Sequence, residues 1–130
     1  MANWTDYVAN AGSLTSIYGC EVPALHCVDF HGLETRRDGP SVLLRFDLAD
    51  YPHSPPRKWV DAKFNRVQLR LLAIGVNEFK MAGLKSNCSL SIEILKENGS
   101  FRILGSDDEF LLEIAARHIL IDGINAYRSE

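Results

Sequence analysis

Two runs of two-residue alternation, joined by a proline-rich connection, constrain this chain more than any other feature in it. Val42, Leu44, Phe46 and Leu48 take every second position, with Ser41, Arg45 and Asp47 among them, which is the period of a strand buried on one face. Between residues 64 and 73 the pattern returns, with Val67, Leu69 and Leu71 set against Gln68 and Arg70, although Leu43 and Leu72 blur the polar side. A helix would scatter these residues around its circumference. Two neighbouring antiparallel strands put all of them on one core.

The rest of the chain is cut into short pieces of the same kind. Residues 24–30 predict a first strand with His26, Val28 and Phe30 on one face, and Gly32 marks a bulge before the Asp38-Gly39 turn. A short strand over residues 76–81 closes at Gly83, and a turn follows around Lys85, Ser86 and Asn87. Cys88, Leu90, Ile92 and Ile94 then alternate up to Asn98-Gly99, beyond which Phe101 and Ile103 resume. Asn-Gly between alternating runs predicts a type I′ hairpin, because both residues accept positive φ. Residues 109–117 fit two patterns, an amphipathic helix or a strand. The β-branched Ile119, Ile121 and Ile124 favour two strands bent near Arg117.

Helical signals gather at the start of the chain. Asn3 can cap a turn carrying Trp4, Tyr7 and Val8, and Ser13 can cap a second that holds Leu14 and Ile17 and stops at Gly19. Trp4 reads as a packing anchor. The expected fold class is a β-rich α+β domain of about eight strands, a mostly antiparallel sheet or two-layer sandwich with a short N-terminal helical segment. With 130 residues, one domain over residues 1–130 is expected.

Several functions are disfavoured by what the chain lacks. A net charge of -3 gives no footprint for a phosphate backbone, so no direct nucleic-acid partner is expected. No apolar run approaches the ~18 residues of a membrane span, and the first residues lack a basic and apolar leader, so a cytoplasmic protein is expected. Cys20, Cys27 and Cys88 form an odd set without C-x-x-C spacing, which predicts reduced thiols buried as small hydrophobes. His26, His31, His53 and His118 show no ligand rhythm. Asp107, Asp108 and Glu109 read as a solvated turn, and Arg36-Arg37 and Arg57-Lys58 as loop charges. No nucleophile elbow or phosphate loop is present. The expectation is a protein with no catalytic residues, no cofactor and no metal.

The connection between the two central strands is the candidate binding surface. It carries Tyr51, His53, Arg57 and Trp59 among Pro52, Pro55 and Pro56, and the prolines disfavour regular structure while restricting the backbone. Tyr51 and Trp59 can fold together over the prolines or face a partner.

Short motifs spread along nearly the whole chain carry a resemblance. Asn3-Trp4-Thr5, the run from Leu14 to Gly19 followed by Val22-Pro23-Ala24-Leu25, the strand Gly39 to Leu48, Pro55-Pro56 with Lys58-Trp59, and Ile124-Asn125-Ala126-Tyr127 resemble the Immunity protein 50 family of bacterial polymorphic-toxin systems. The likeness is looser beyond Gly75. The resemblance implies a non-enzymatic, cytoplasmic toxin inhibitor that acts by protein–protein interaction, binding a cognate toxin domain and blocking it without chemistry of its own. It transfers no contact residues. The alternative is a small-ligand-binding module or enzyme with a pocket near the Tyr51 to Trp59 connection; convergent titratable groups in a deep pocket would favour it.

Overall fold

The alternating runs become strands of one antiparallel sheet. In the computed structural model, which describes residues 4–19, 22–83 and 89–129, the strands are β1 (Val28–Arg36), β2 (Ser41–Asp47), β3 (Arg66–Ile74), β4 (Glu78–Ala82), β5 (Ser89–Glu97), β6 (Ser100–Ser106), β7 (Leu111–Ala116) and β8 (His118–Tyr127). Their order across the sheet is β4-β7-β6-β5-β1-β2-β3-β8, and every pairing is antiparallel. Two short helices, α1 (Gly12–Tyr18) and α2 (Arg57–Asp61), and a 3₁₀ turn at Trp4–Tyr7 complete the fold. The β-rich α+β expectation holds. Within residues 109–117, Leu111–Ala116 form a strand rather than the alternative helix.

The two central strands pair as expected, Phe46 opposite Leu69 and Leu44 opposite Leu71. Val42, Leu44, Phe46, Leu48, Val67, Leu69 and Leu71 all belong to the core, with Phe46, Leu44, Leu69 and Leu71 fully shielded from solvent. The other face of β2 departs from the expected polar side. Leu43, Ser41 and Asp47 are buried there and only Arg45 is exposed.

The sheet folds over its own core because two strands bend. β3 runs on into β4 and β7 into β8, and the two bent strands pair along their length, with Ile74 opposite His118 on one side of the bend and Glu78 opposite Ala115 on the other. The Arg117 amide donates to the Ile74 carbonyl at 3.0 Å and the Asn77 amide to the Ala115 carbonyl at 3.0 Å, so the ladder is carried through the corner. One ribbon therefore supplies both ends of the strand order. At the other junction β5 meets β1, among the described residues, through Val28–Leu90 and Asp29–Ser89. Between these corners the inward residues of both halves form one apolar cluster, in which Phe30 of β1 and Phe110 just before β7 stack at 5.5 Å between ring centroids.

Turn chemistry behaves as the sequence implies at two places. Asn98 and Gly99 have φ of 51° and 81° and join β5 to β6 with Glu97 opposite Ser100, the geometry of a type I′ hairpin. The register of β1 against β2 slips between Phe30 and Gly32, which is the predicted bulge. Other expectations need correction. β1 begins at Val28, not near residue 24, because the chain bends through Cys27 at φ 56°. That bend leaves His26 off the strand and Cys27 exposed, not buried. The α1 cap position is Ala11, with no side-chain cap, and Ser13 lies inside the first turn; the helix does stop at Gly19. The cap expected of Asn3, the turn around Lys85, Ser86 and Asn87, and the thiols of Cys20 and Cys88 lie outside the described residues.

The N-terminal segment seals the fold. Trp4 is buried and its indole Nε1–H donates to the Pro23 carbonyl at 3.0 Å, so it is the anchor its residue type suggested. Along the free edge of β8, the Ala9 amide donates to the Ile119 carbonyl at 2.9 Å. The Asn10 side chain donates to the Ile121 carbonyl at 2.9 Å and accepts from the Ile121 amide at 2.6 Å. Asn10 thus acts as a one-residue stand-in for a ninth strand and blunts an edge that would otherwise pair with another chain. Asn10→Ala should lower stability by about 1–2 kcal/mol, since it leaves two backbone groups of a half-buried strand without these partners. Urea unfolding measures it, and an unchanged midpoint would show that water replaces the amide at no loss.

Candidate functional site

All four residues of the predicted binding surface fall at one end of the sheet, in the connection between β2 and β3. The structure adds something the prolines concealed: Arg57–Asp61 form α2, with Pro56 at its N-cap position in an extended conformation. A proline just ahead of a helix need supply no amide, so it starts this turn rather than breaking it. The expectation that the whole connection lacks regular structure is corrected accordingly. His53 and Arg57 are exposed, whereas Tyr51 and Trp59 are half-buried against the core.

The two aromatics fold together, their ring centroids 6.2 Å apart and tilted by 44°. Tyr18 ties the connection to α1 by donating its hydroxyl to the Asp50 carbonyl at 2.8 Å, and burial raises its pKa above the usual phenol value. The Tyr51 hydroxyl is shielded from solvent and has no hydrogen-bond partner among the described residues. Burial raises its pKa as well. A cavity of about 340 Å³ opens beside these groups, lined by Tyr18, Ala49, Asp50, Tyr51, Pro52 and His53. A larger, mostly apolar groove of about 1030 Å³ lies between the N-terminal segment and β5, β6 and β7, with Trp4, Tyr7, Ile92 and Leu104 in its walls.

Beside the connection, on the outward face of the sheet, β1, β2 and β8 bring together a polar set. Asp29 and Asp47 are direct cross-strand partners. Asp47 is 1% exposed. Its Oδ2 accepts the Tyr127 hydroxyl in a short hydrogen bond and lies 3.0 Å from His31 Nε2, while Asp29 Oδ2 approaches the same nitrogen to 3.7 Å. Its Oδ1 is buried with no hydrogen bond among the described residues. Burial, and then the bond to Asp47, push the Tyr127 phenol up to about 12, so the hydroxyl keeps its proton and remains a donor at neutral pH.

Neither Asp47 nor Tyr127 stood out in the sequence, where Asp47 looks like one more solvent-facing residue on an alternating strand. The signal was nonetheless present. Counting back from the Asp38-Gly39 turn and allowing one extra residue at Gly32 sets Asp29 opposite Asp47, and two like charges directly opposite are unfavourable without a compensating cation.

The Asp29, His31, Asp47 and Tyr127 set lines neither the cavity beside Tyr51 nor the apolar groove. No helix among the described residues is long and apolar enough to cross a membrane. Residues 10–127 match the family model described as Immunity protein 50. Neither a curated protein nor a solved structure matches the chain.

Proposed function

Because the chain belongs to the Immunity protein 50 family, we propose that it protects its host by binding a cognate toxin domain and covering that domain's active surface, with no chemistry of its own. The observation that carries this reading is the match over residues 10–127. The connection between β2 and β3 is the contact surface we assign, through Tyr51, His53, Arg57 and Trp59. Its support is physical: the aromatic pair is already packed, the backbone is restrained by Pro52, Pro55 and Pro56, and α2 fixes Arg57 and Trp59 on one short turn. A surface held this way loses little conformational freedom on docking, and Tyr, Trp and Arg are the residue types that dominate interface energetics.

The test is co-expression with the toxin domain encoded beside its gene, followed by isolation of the pair. Protection together with a stable complex supports the reading; failure to bind or protect against that domain overturns it. Within the complex, His53→Ala and Arg57→Ala probe the contact without touching the core, because both side chains are exposed. Trp59→Ala should weaken binding by more than about 1 kcal/mol, as loss of an interface anchor does. Binding unchanged in all three folded variants would place the interface elsewhere on the protein.

A further inference from the structure

We propose that Asp29, His31 and Asp47 form a binding site for one divalent transition-metal ion, of the kind that accepts an imidazole nitrogen and carboxylate oxygens together. The three donor atoms lie within 4.8 Å of one another. Bonds of about 2.1 Å at tetrahedral angles separate neighbouring ligand atoms by about 3.4 Å, and octahedral angles by about 3.0 Å. The distances from His31 Nε2, 3.0 Å to Asp47 and 3.7 Å to Asp29, bracket those values. Asp29 and His31 are exposed, so their side chains are free to close the remaining gap, and the site is open to an ion from solvent.

Asp47 supplies the independent observation. A carboxylate that is 1% exposed has given up its hydration, and desolvation on that scale is tolerated when the charge is paired or bound to metal. Its ion-pair partner among the described residues is His31 alone, which also faces Asp29. One imidazolium would balance one of the two carboxylates and still leave Asp47 Oδ1 with no bond. A dication neutralises both carboxylates at once and lets Oδ1 or Oδ2 turn towards it. Tyr127 completes the arrangement from behind: its hydroxyl holds Asp47 Oδ2, the role that outer hydrogen bonds play in orienting metal ligands. The mixed donor set favours zinc or manganese over magnesium or calcium, which take oxygen ligands and leave imidazole aside. Spacing along the chain hid this set, since Asp29 and His31 sit on β1 and Asp47 at the end of β2.

Titration of the untagged, EDTA-treated and dialysed full chain with zinc chloride, read by calorimetry and by thermal unfolding, tests the site, with cobalt(II) chloride absorption reporting its donor geometry. One equivalent bound, with a rise in unfolding temperature, is expected. H31A and D29A should each weaken binding at least tenfold, and Y127F by about tenfold, the usual effect of removing an outer hydrogen bond. Because His31 and Asp29 are exposed, both variants should fold, which circular dichroism checks. The proposal is overturned if no saturable one-to-one binding occurs, if either H31A or D29A binds as tightly as the parent, or if C27S abolishes binding and so assigns it to the exposed thiol.

Discussion

Phe46→Ala is expected to remove about 3–5 kcal/mol of stability, the cost of deleting a large aromatic side chain from a packed core. Phe46 is 0% exposed and sits on β2, which is flanked on both sides, with Phe30 as its partner on β1 and Leu69 on β3. Neither neighbour can move to fill the space without breaking a ladder that continues to β8. Phe30 is further held by its stacking with Phe110 from the opposite half of the fold. A cavity is therefore left rather than collapsed, which puts the loss in the upper part of the range for such changes. Equilibrium unfolding in urea measures it. A midpoint within error of the parent would mean that the inward face of β2 has been assigned to the wrong side.

Gly83→Ala is expected to cost on the order of 2–4 kcal/mol although residue 83 is exposed, so that strain rather than lost packing is responsible. Gly83 follows β4 with φ of +82°, a region that costs an L-residue about 1–2 kcal/mol. A Cβ placed there would collide with the Glu109 carbonyl oxygen. That carbonyl cannot swing aside. The Glu109 and Phe110 amides both donate to Asp107 Oδ1, at 2.8 and 2.7 Å, the Asp107 amide donates to the Phe110 carbonyl at 3.1 Å, and the Phe110 ring is 1% exposed. Gly12→Ala is the matched control, since nothing lies within 4 Å of the added carbon and alanine favours a helix. Parity between the two variants in thermal unfolding would refute the close approach of residues 83 and 109.

The parts of this fold that could be read from the chain are those governed by neighbours in sequence. Alternation exposes β2, β3 and β5 because a strand with one wet face must repeat every two residues, and Asn98-Gly99 exposes its hairpin because few other pairs accept both left-handed positions. Strand order was out of reach. The pairing of β3 with β8 joins residues such as Leu69 and Ile124, and no local rule states which of several similar apolar strands will meet. The short helix α2 was hidden by Pro55 and Pro56, which mark breaks in general and a beginning in this instance. Cys27 and His26 were misplaced for one reason, a left-handed bend at residue 27 that no proline or glycine announces. Of the candidate surfaces, the aromatic connection was visible as an anomaly of composition. The Asp29, His31 and Asp47 set was invisible as a motif because it exists only once β1 and β2 have paired in their bulged register.

The shared ribbon also imposes an order in time. The whole inner edge of β3, from Arg66 to Ile74, waits for β8, while β4 to β7 are made in between. At ribosomal rates of about 5–20 residues per second, that wait is roughly 3–10 s, far longer than the microseconds in which the β1–β2 or β5–β6 hairpins can form. During it, Leu69 and Leu71 lie on a strand with one unpaired side, open to the matching edge of another nascent copy. Emergence of β8 is then the step that completes this edge, and slow translation beyond Ile74 would be felt as aggregation before it is felt as loss of stability.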